Sequence, residues 1–192
     1  MKRFIILLSL VLVALLSACG PSTRLITDID AMPFIPEGEG QGSSTIDSNL
    51  ELKIPDDTGF SAEDMGLSKD TLSGLARFSL DVVTELSLSE EDAPMDVTMG
   101  LYLNGVAPAF DAEKPFEVQA HLIPGEAQDT HLTIVMSEEE NPGLFQTLKS
   151  GNFFLGIAYT SVGEEGGVGT LSAKLKGLDF QLIADVNDIS GF

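Results

Sequence analysis

The 192 residues carry 10 basic and 30 acidic side chains, a formal charge of −20, with one cysteine, two histidines and no tryptophan. So acidic a chain repels phosphate backbones and anionic lipid headgroups, which argues against nucleic-acid binding and against a basic membrane-docking face. It favours solubility, cations and basic partners.

The chain starts with Met1-Lys2-Arg3, a short cationic segment, followed by an apolar run from Phe4 to Leu16 interrupted only by Ser9. Small residues then lead into Cys19. Positive, apolar, small is the order of a secretory signal, and the run is too short for a comfortable transmembrane span. The four residues Leu16-Ser17-Ala18-Cys19 resemble the lipobox of bacterial lipoproteins. The resemblance covers only the leader and anchor. It implies a diacylglycerol on the Cys19 sulfur and cleavage before it, and Gly20 in place of an aspartate leans towards the outer membrane. A domain division follows: a signal peptide over residues 1–18, a lipid-anchored flexible tether over 19–48, and a single β-domain over 49–192. Lys2 and Arg3 leave with the leader, taking the basic count from 10 to 8 against 30 acids, a mature charge of −22. With Cys19 acylated no thiol remains, so disulfides, thiolate metal sites and cysteine nucleophiles fall together.

Residues 20–48 read as the tether because they combine Pro21, Pro33 and Pro36 with Gly38-Glu39-Gly40-Gln41-Gly42 and a polar Ser43-Ser44-Thr45, without sustained periodicity. Met32-Pro33-Phe34-Ile35 is either a sticky spot on that tether or a first edge strand. Beyond it, period two dominates, the spacing that sends successive side chains to opposite faces of a strand. Leu50, Leu52 and Ile54 alternate with charged residues. Ser68 with Leu72, Leu75 and Ala76 fits a short helix weakened by Gly66 and Gly74. Phe78 to Leu88 is the longest alternation, and Val97 to Leu103 follows, ending at Asn104-Gly105.

Phe116, Val118, Ala120 and Leu122 form the next strand, and Leu132, Ile134 and Met136 the one after it. A hairpin symmetric about Glu126 sets Ala120 against Leu132 and Val118 against Ile134, inward residue on inward residue. Leu144 to Lys149 fits one helical turn. Phe153 to Tyr159, Leu171 to Leu175 and Leu178 to Val186 complete about eight strands, with Lys176-Gly177 as a tight turn between the last two. The expected fold is all-β: an antiparallel meander closed as a β-sandwich, with a soluble barrel as the alternative. Outward charges such as Asp81, Glu85, Glu117 and Lys174 forbid a transmembrane barrel.

In a meander the loops Ser89–Asp96, Ile123–Asp129 and Ser161–Gly169 share one end. They gather Glu90, Glu91, Asp92, Asp96, Glu126, Asp129, Glu164 and Glu165 without a Lys or Arg. Lys53, Lys69, Arg77, Lys114, Lys149, Lys174 and Lys176 fall towards the other end. Clustered carboxylates suit a hard cation such as Ca2+, or are simply solvated repulsive loops. No stretch matches the twelve-residue calcium loop; Asp185-Val186-Asn187-Asp188 starts like one, but Ile189 stands at a ligand position. The same hairpin register sets His121 beside His131 as a two-ligand pair, too few for a tight metal site.

Catalytic motifs are missing: no Gly-x-Ser-x-Gly, no His-Glu-x-x-His, no Walker loop, and Glu164 and Glu165 spoil the glycine-rich Gly163–Gly169 for phosphate. The expected role is a non-enzymatic envelope module held to the membrane by its lipid. It would contact an envelope protein or cell-wall component through edge strands, the acidic end or the outward apolar Phe154, Val135 and Ile183. The alternative is a carrier of a lipid or other apolar ligand in the β-core.

Overall fold

The computed structural model describes residues 24–47, 50–55, 58–111, 116–162 and 168–185. Cys19 and the leader lie outside these residues, as do Lys114, Glu164, Glu165 and Ile189. Ten strands occur among the described residues: β1 (Arg24–Asp30), β2 (Gln41–Ile46), β3 (Leu52–Ile54), β4 (Phe60–Ser61), β5 (Leu75–Leu88), β6 (Met95–Asn104), β7 (Phe116–Leu122), β8 (Ala127–Ser137), β9 (Phe154–Ser161) and β10 (Gly169–Asp185). Two short helices join them, α1 (Lys69–Leu72) and α2 (Pro142–Ser150). Ser68 caps α1 by accepting from the Thr71 N–H. Pro142 opens α2, and Gly151 closes it in the left-handed conformation that glycine adopts without strain.

The strands form two antiparallel sheets packed as a β-sandwich. Sheet A runs β1-β10-β5-β8, with β2 pairing the first half of the same edge of β10 whose second half pairs β1; sheet B runs β3-β9-β6-β7, with β4 also on β9. Inward residues of both sheets meet in one buried cluster. Phe78 and Phe180 lie at its heart with ring centroids 5.7 Å apart, and Leu80, Val82, Met99, Leu101, Ile157 and Tyr159 are almost fully buried around them.

The sandwich matches expectation, but its connectivity is not a meander. Of the long strands, only β6 and β7 are both consecutive and paired. The chain crosses from one sheet to the other after β2, β4, β5, β7, β8 and β9. The β7–β8 hairpin is therefore not formed: Ala120 pairs Val97, and Leu132 pairs Val82. Inward positions on facing sheets also meet inward positions, so matching apolar faces fits an arch over the core as well as a hairpin.

The Lys176-Gly177 turn is corrected as well. Residues 169–185 are one strand with a β-bulge between Leu175 and Gly177, and both Lys176 and Gly177 stand on the outer side. The extra residue shifts the inward set from Leu171, Ala173 and Leu175 to Leu178, Phe180, Leu182 and Ala184. Lys174 and Lys176 consequently sit at mid-sheet rather than at the far end.

The tether reading of residues 19–48 fails over its described part. β1 pairs β10 from Arg24↔Asp185 to Asp30↔Asp179, and β2 from Gln41↔Lys174 to Ile46↔Gly169. Between them Met32–Phe34 makes a 3-10 turn, with Met32 and Ile35 packed on the core and Ala31 and Ile46 fully buried. This segment is part of the sandwich.

Candidate functional site

The chain leaves β5, β7 and β9 at one end of the sandwich, because these strands run the same way even though they belong to different sheets. Backbone bonds tie them together: Ser89 N–H donates to Thr170 C=O, Gly125 N–H to Leu88 C=O, and Val162 N–H to Asp96 C=O. Asp92 adds a side-chain tie, its Oδ2 accepting from the Thr170 N–H at 2.7 Å. Glu90 lies against Gly125, whose backbone has a φ of +73° and where a Cβ would come within 3.2 Å of the Glu90 side chain.

Within this end the candidate acids have different duties. Asp92 holds its own loop to β10. Asp96 Oδ1 lies 2.7 Å from His121 Nδ1, an exposed pair in register across β6 and β7. Asp129 stands within β8 on the outer side of sheet A, where Lys176 bridges it at 3.0 Å and Glu85 at 3.2 Å. These carboxylates, Asp129 first, hold the Lys176 ammonium above its ordinary value. Glu90, Glu91 and Glu126 remain exposed. Among the described residues no three His, Cys, Asp or Glu side chains converge as a metal would require. Glu164 and Glu165 lie outside those residues.

The histidine pair is not formed. His121 is on the outer side of sheet B and His131, paired with Val83, on the outer side of sheet A. With the core between them they share no ion. The pairing failed with the hairpin on which it rested.

The core also holds a buried polar group. Thr84 and Thr130 face each other in register on the inner side of sheet A, and Tyr159 and Ser161 project from β9 of sheet B. Thr84 Oγ1 donates to Met99 Sδ at 3.1 Å across the core. Thr130 Oγ1, the Tyr159 hydroxyl and Ser161 Oγ have no partner of hydrogen-bonding geometry among the described residues. The signal was present in the alternation, which puts threonines and a serine on inward positions otherwise held by Leu, Ile and Val.

Burial pushes the Tyr159 hydroxyl far above its ordinary value, with Thr84 close enough to offset this slightly. Tyr102 is raised by partial burial and then by the charges of Glu51 and Glu117. An unfolded tyrosine ionises near pH 10, so both folded tyrosines keep their protons where unfolded ones lose them. The stability they contribute is whole below about pH 10 and is lost as pH rises beyond it. Tyrosinate absorbance should therefore appear together with unfolding, and Tyr159→Phe should flatten the alkaline loss of stability. Two tyrosines titrating independently at the ordinary value in folded protein would refute this.

No family model matches the chain, and no curated protein matches it. Among solved structures it is similar to a mutant VP2 protein of infectious bursal disease virus in derived T=1 particles, at 12% identity over 87% of this chain and 33% of that one, with a TM-score of 0.39. It is also similar to tripeptidyl peptidase 2, at 6% identity over 84% and 10% with a TM-score of 0.35, and to broad bean stain virus, at 15% over 79% and 45% with 0.32. The chain thus spans about a third of the VP2 chain, and superpositions this loose bear on neither family nor function.

Proposed function

We propose that the chain is a lipid-anchored envelope protein whose β-sandwich is a non-catalytic interaction module, presenting its acidic loops to a basic protein or cell-wall component. The observation that carries the proposal is the lipobox Leu16–Cys19 in front of a domain whose loops at one end hold Glu90, Glu91, Asp92, Asp96 and Glu126 with no basic residue among them. Such a surface attracts cationic groups over several ångströms and speeds encounter with a basic partner. The packed inward residues favour a module over a carrier, because Phe78, Phe180 and Tyr159 occupy the interior that an apolar ligand would need.

Mass spectrometry of the full chain extracted from its own membranes tests the reading in two steps. Denatured protein should begin at Cys19 and carry acyl mass on it; an unmodified cysteine behind an intact leader would sink the anchor. Native protein should carry no additional lipid. A lipid-sized mass lost on denaturation would overturn the module in favour of the carrier.

A further inference from the structure

β1 begins at Arg24, five residues after Cys19, and five residues of chain reach at most about 17 Å. The beginning of β1 lies beside Asp185 and Leu75, at the opposite end of sheet A from the acidic loops. The 14 residues of β5 between those ends correspond to about 45 Å at roughly 3.3 Å per residue. An anchor at Cys19 therefore holds the Arg24 end of the sandwich within about 17 Å of the bilayer, with the acidic end about 45 Å away along the sheet.

The outer side of sheet A changes character at the anchored end. Along most of its length it shows polar or charged side chains: Asp28, Ser79, Asp81, Glu85, Ser87, His131, Thr133, Ser172, Lys174 and Gln181, with Val83 between them. Near Arg24 it gains apolar side chains. Ile26 is 60% exposed, Ile183 lies beside it in register, and Val135 is 71% exposed on the far edge. Arg24 and Arg77, the two arginines outside the leader, line a groove of about 620 Å³ with Ile183 and Val135.

The other wall of that groove is Glu138, Glu139 and Glu140, with Glu138 held by Lys149 at 2.6 Å and Glu140 by the Ser137 hydroxyl at 2.8 Å. The groove thus mixes guanidinium, carboxylate and β-branched apolar groups. A zwitterionic phospholipid surface offers the matching set: phosphate for the arginines, ammonium for the glutamates, and acyl chains below for Ile26 and Val135. Arginine suits this place because its fork binds phosphate bidentately while its stem covers apolar surface. The charge of −22 argues against docking by a basic face, and this face is not basic; a strongly anionic surface would meet three glutamates.

We propose that the anchored end of sheet A's outer side, around Arg24, Ile26, Arg77, Val135 and Ile183, rests on a zwitterionic phospholipid surface and holds the acidic loops away from it. This rests on the anchor reading above. It gives the lipid a second task, orienting the domain so that its acidic end faces the partner rather than the bilayer.

The test uses the full lipidated chain in phosphatidylcholine vesicles with a quencher on the acyl chains. Ile26→Cys, Val135→Cys and Glu91→Cys are labelled singly with a fluorophore, acylation of Cys19 leaving the new thiol as the site of reaction. All three positions are exposed, so the fold tolerates the change. Quenching should be severalfold stronger at 26 and 135 than at 91, and the combined Arg24→Glu and Arg77→Glu variant should reduce it. Acylated protein with equal quenching at the three positions, or stronger quenching at 91, overturns the docking and leaves the anchor intact. Protein lacking acyl mass on Cys19 overturns both.

Discussion

Deleting residues 24–46 should abolish cooperative folding rather than shorten a linker. The deletion removes β1 and β2 together, and with them Ala31 and Ile46, both fully buried, and the packing of Ile29, Met32 and Ile35 on the core. Truncating one buried aliphatic side chain costs about 2–5 kcal/mol, and each paired backbone group lost from the two ladders adds about 0.5–1.5 kcal/mol. Against a total stability of about 5–15 kcal/mol the sum leaves little. The deletion would also bare one whole edge of β10, whose unpaired N–H and C=O groups invite pairing between copies. Chemical denaturation followed by circular dichroism should show no sharp transition, with the protein aggregating or molten. A deletion variant unfolding cooperatively near the midpoint of the full chain would restore the tether.

The sequence of those two strands resembles a linker for a physical reason. β2 has a single fully buried residue, Ile46, and its inward Gly42 stands where the sheets close together, a Cβ there coming within 3.0 Å of Leu52 Cδ1 so that the leucine would have to give way. Period-two reasoning needs an apolar side chain at every second position and is silent where contact between layers selects glycine. In β1 the inward Leu25 and Ile29 are masked by the outward Ile26, which blurs the alternation. Pro33 within the 3-10 turn and Pro36, Gly38 and Gly40 after it complete the appearance of a loop.

The long strands were legible because half-buried strands in a sandwich obey the alternation strictly, as β5 does from Phe78 to Leu88. Partners were less so. A shift of phase, as between Leu175 and Leu178, marks a tight turn or a bulge equally well, and here the chain runs straight on. Of the candidate site, the meeting of the ends of β5, β7 and β9 depends only on strand direction, and backbone bonds there join the described loop residues. Asp129 counts as a loop residue in the sequence, whereas β8 already begins at Ala127 and pairs Asp129 with Glu85; the histidine pair requires two particular strands to be neighbours, and they are not. Chemistry that depends on which end is readable from strand count; chemistry that depends on which neighbour is not.

Phe180→Ala should be the most damaging single substitution in sheet A, lowering stability by about 3–5 kcal/mol. Phe180 is 1% exposed and sits between Ile29 of β1 and Leu80 of β5, so the cavity would open under three strands at once. Its ring also loses Phe78, tilted by 59° at 5.7 Å, a contact of the kind that adds about 0.5–1.5 kcal/mol beyond buried area. The strands around it are held by backbone ladders and cannot collapse far into the space, which places the cost towards the top of the range. Val135→Ala, on the outer side of the same sheet, should change stability by no more than about 0.5 kcal/mol. Denaturation midpoints of the two variants measure the contrast directly, with an unchanged slope showing that the unfolded states are alike. Phe78→Ala combined with Phe180→Ala should cost less than the two single changes added, since the second removes a ring that has already lost its partner. A midpoint for Phe180→Ala close to that of Val135→Ala would mean that the phase of β10 beyond its bulge is wrong, and with it the assignment of Ile183 to the outer side on which the membrane-facing surface depends.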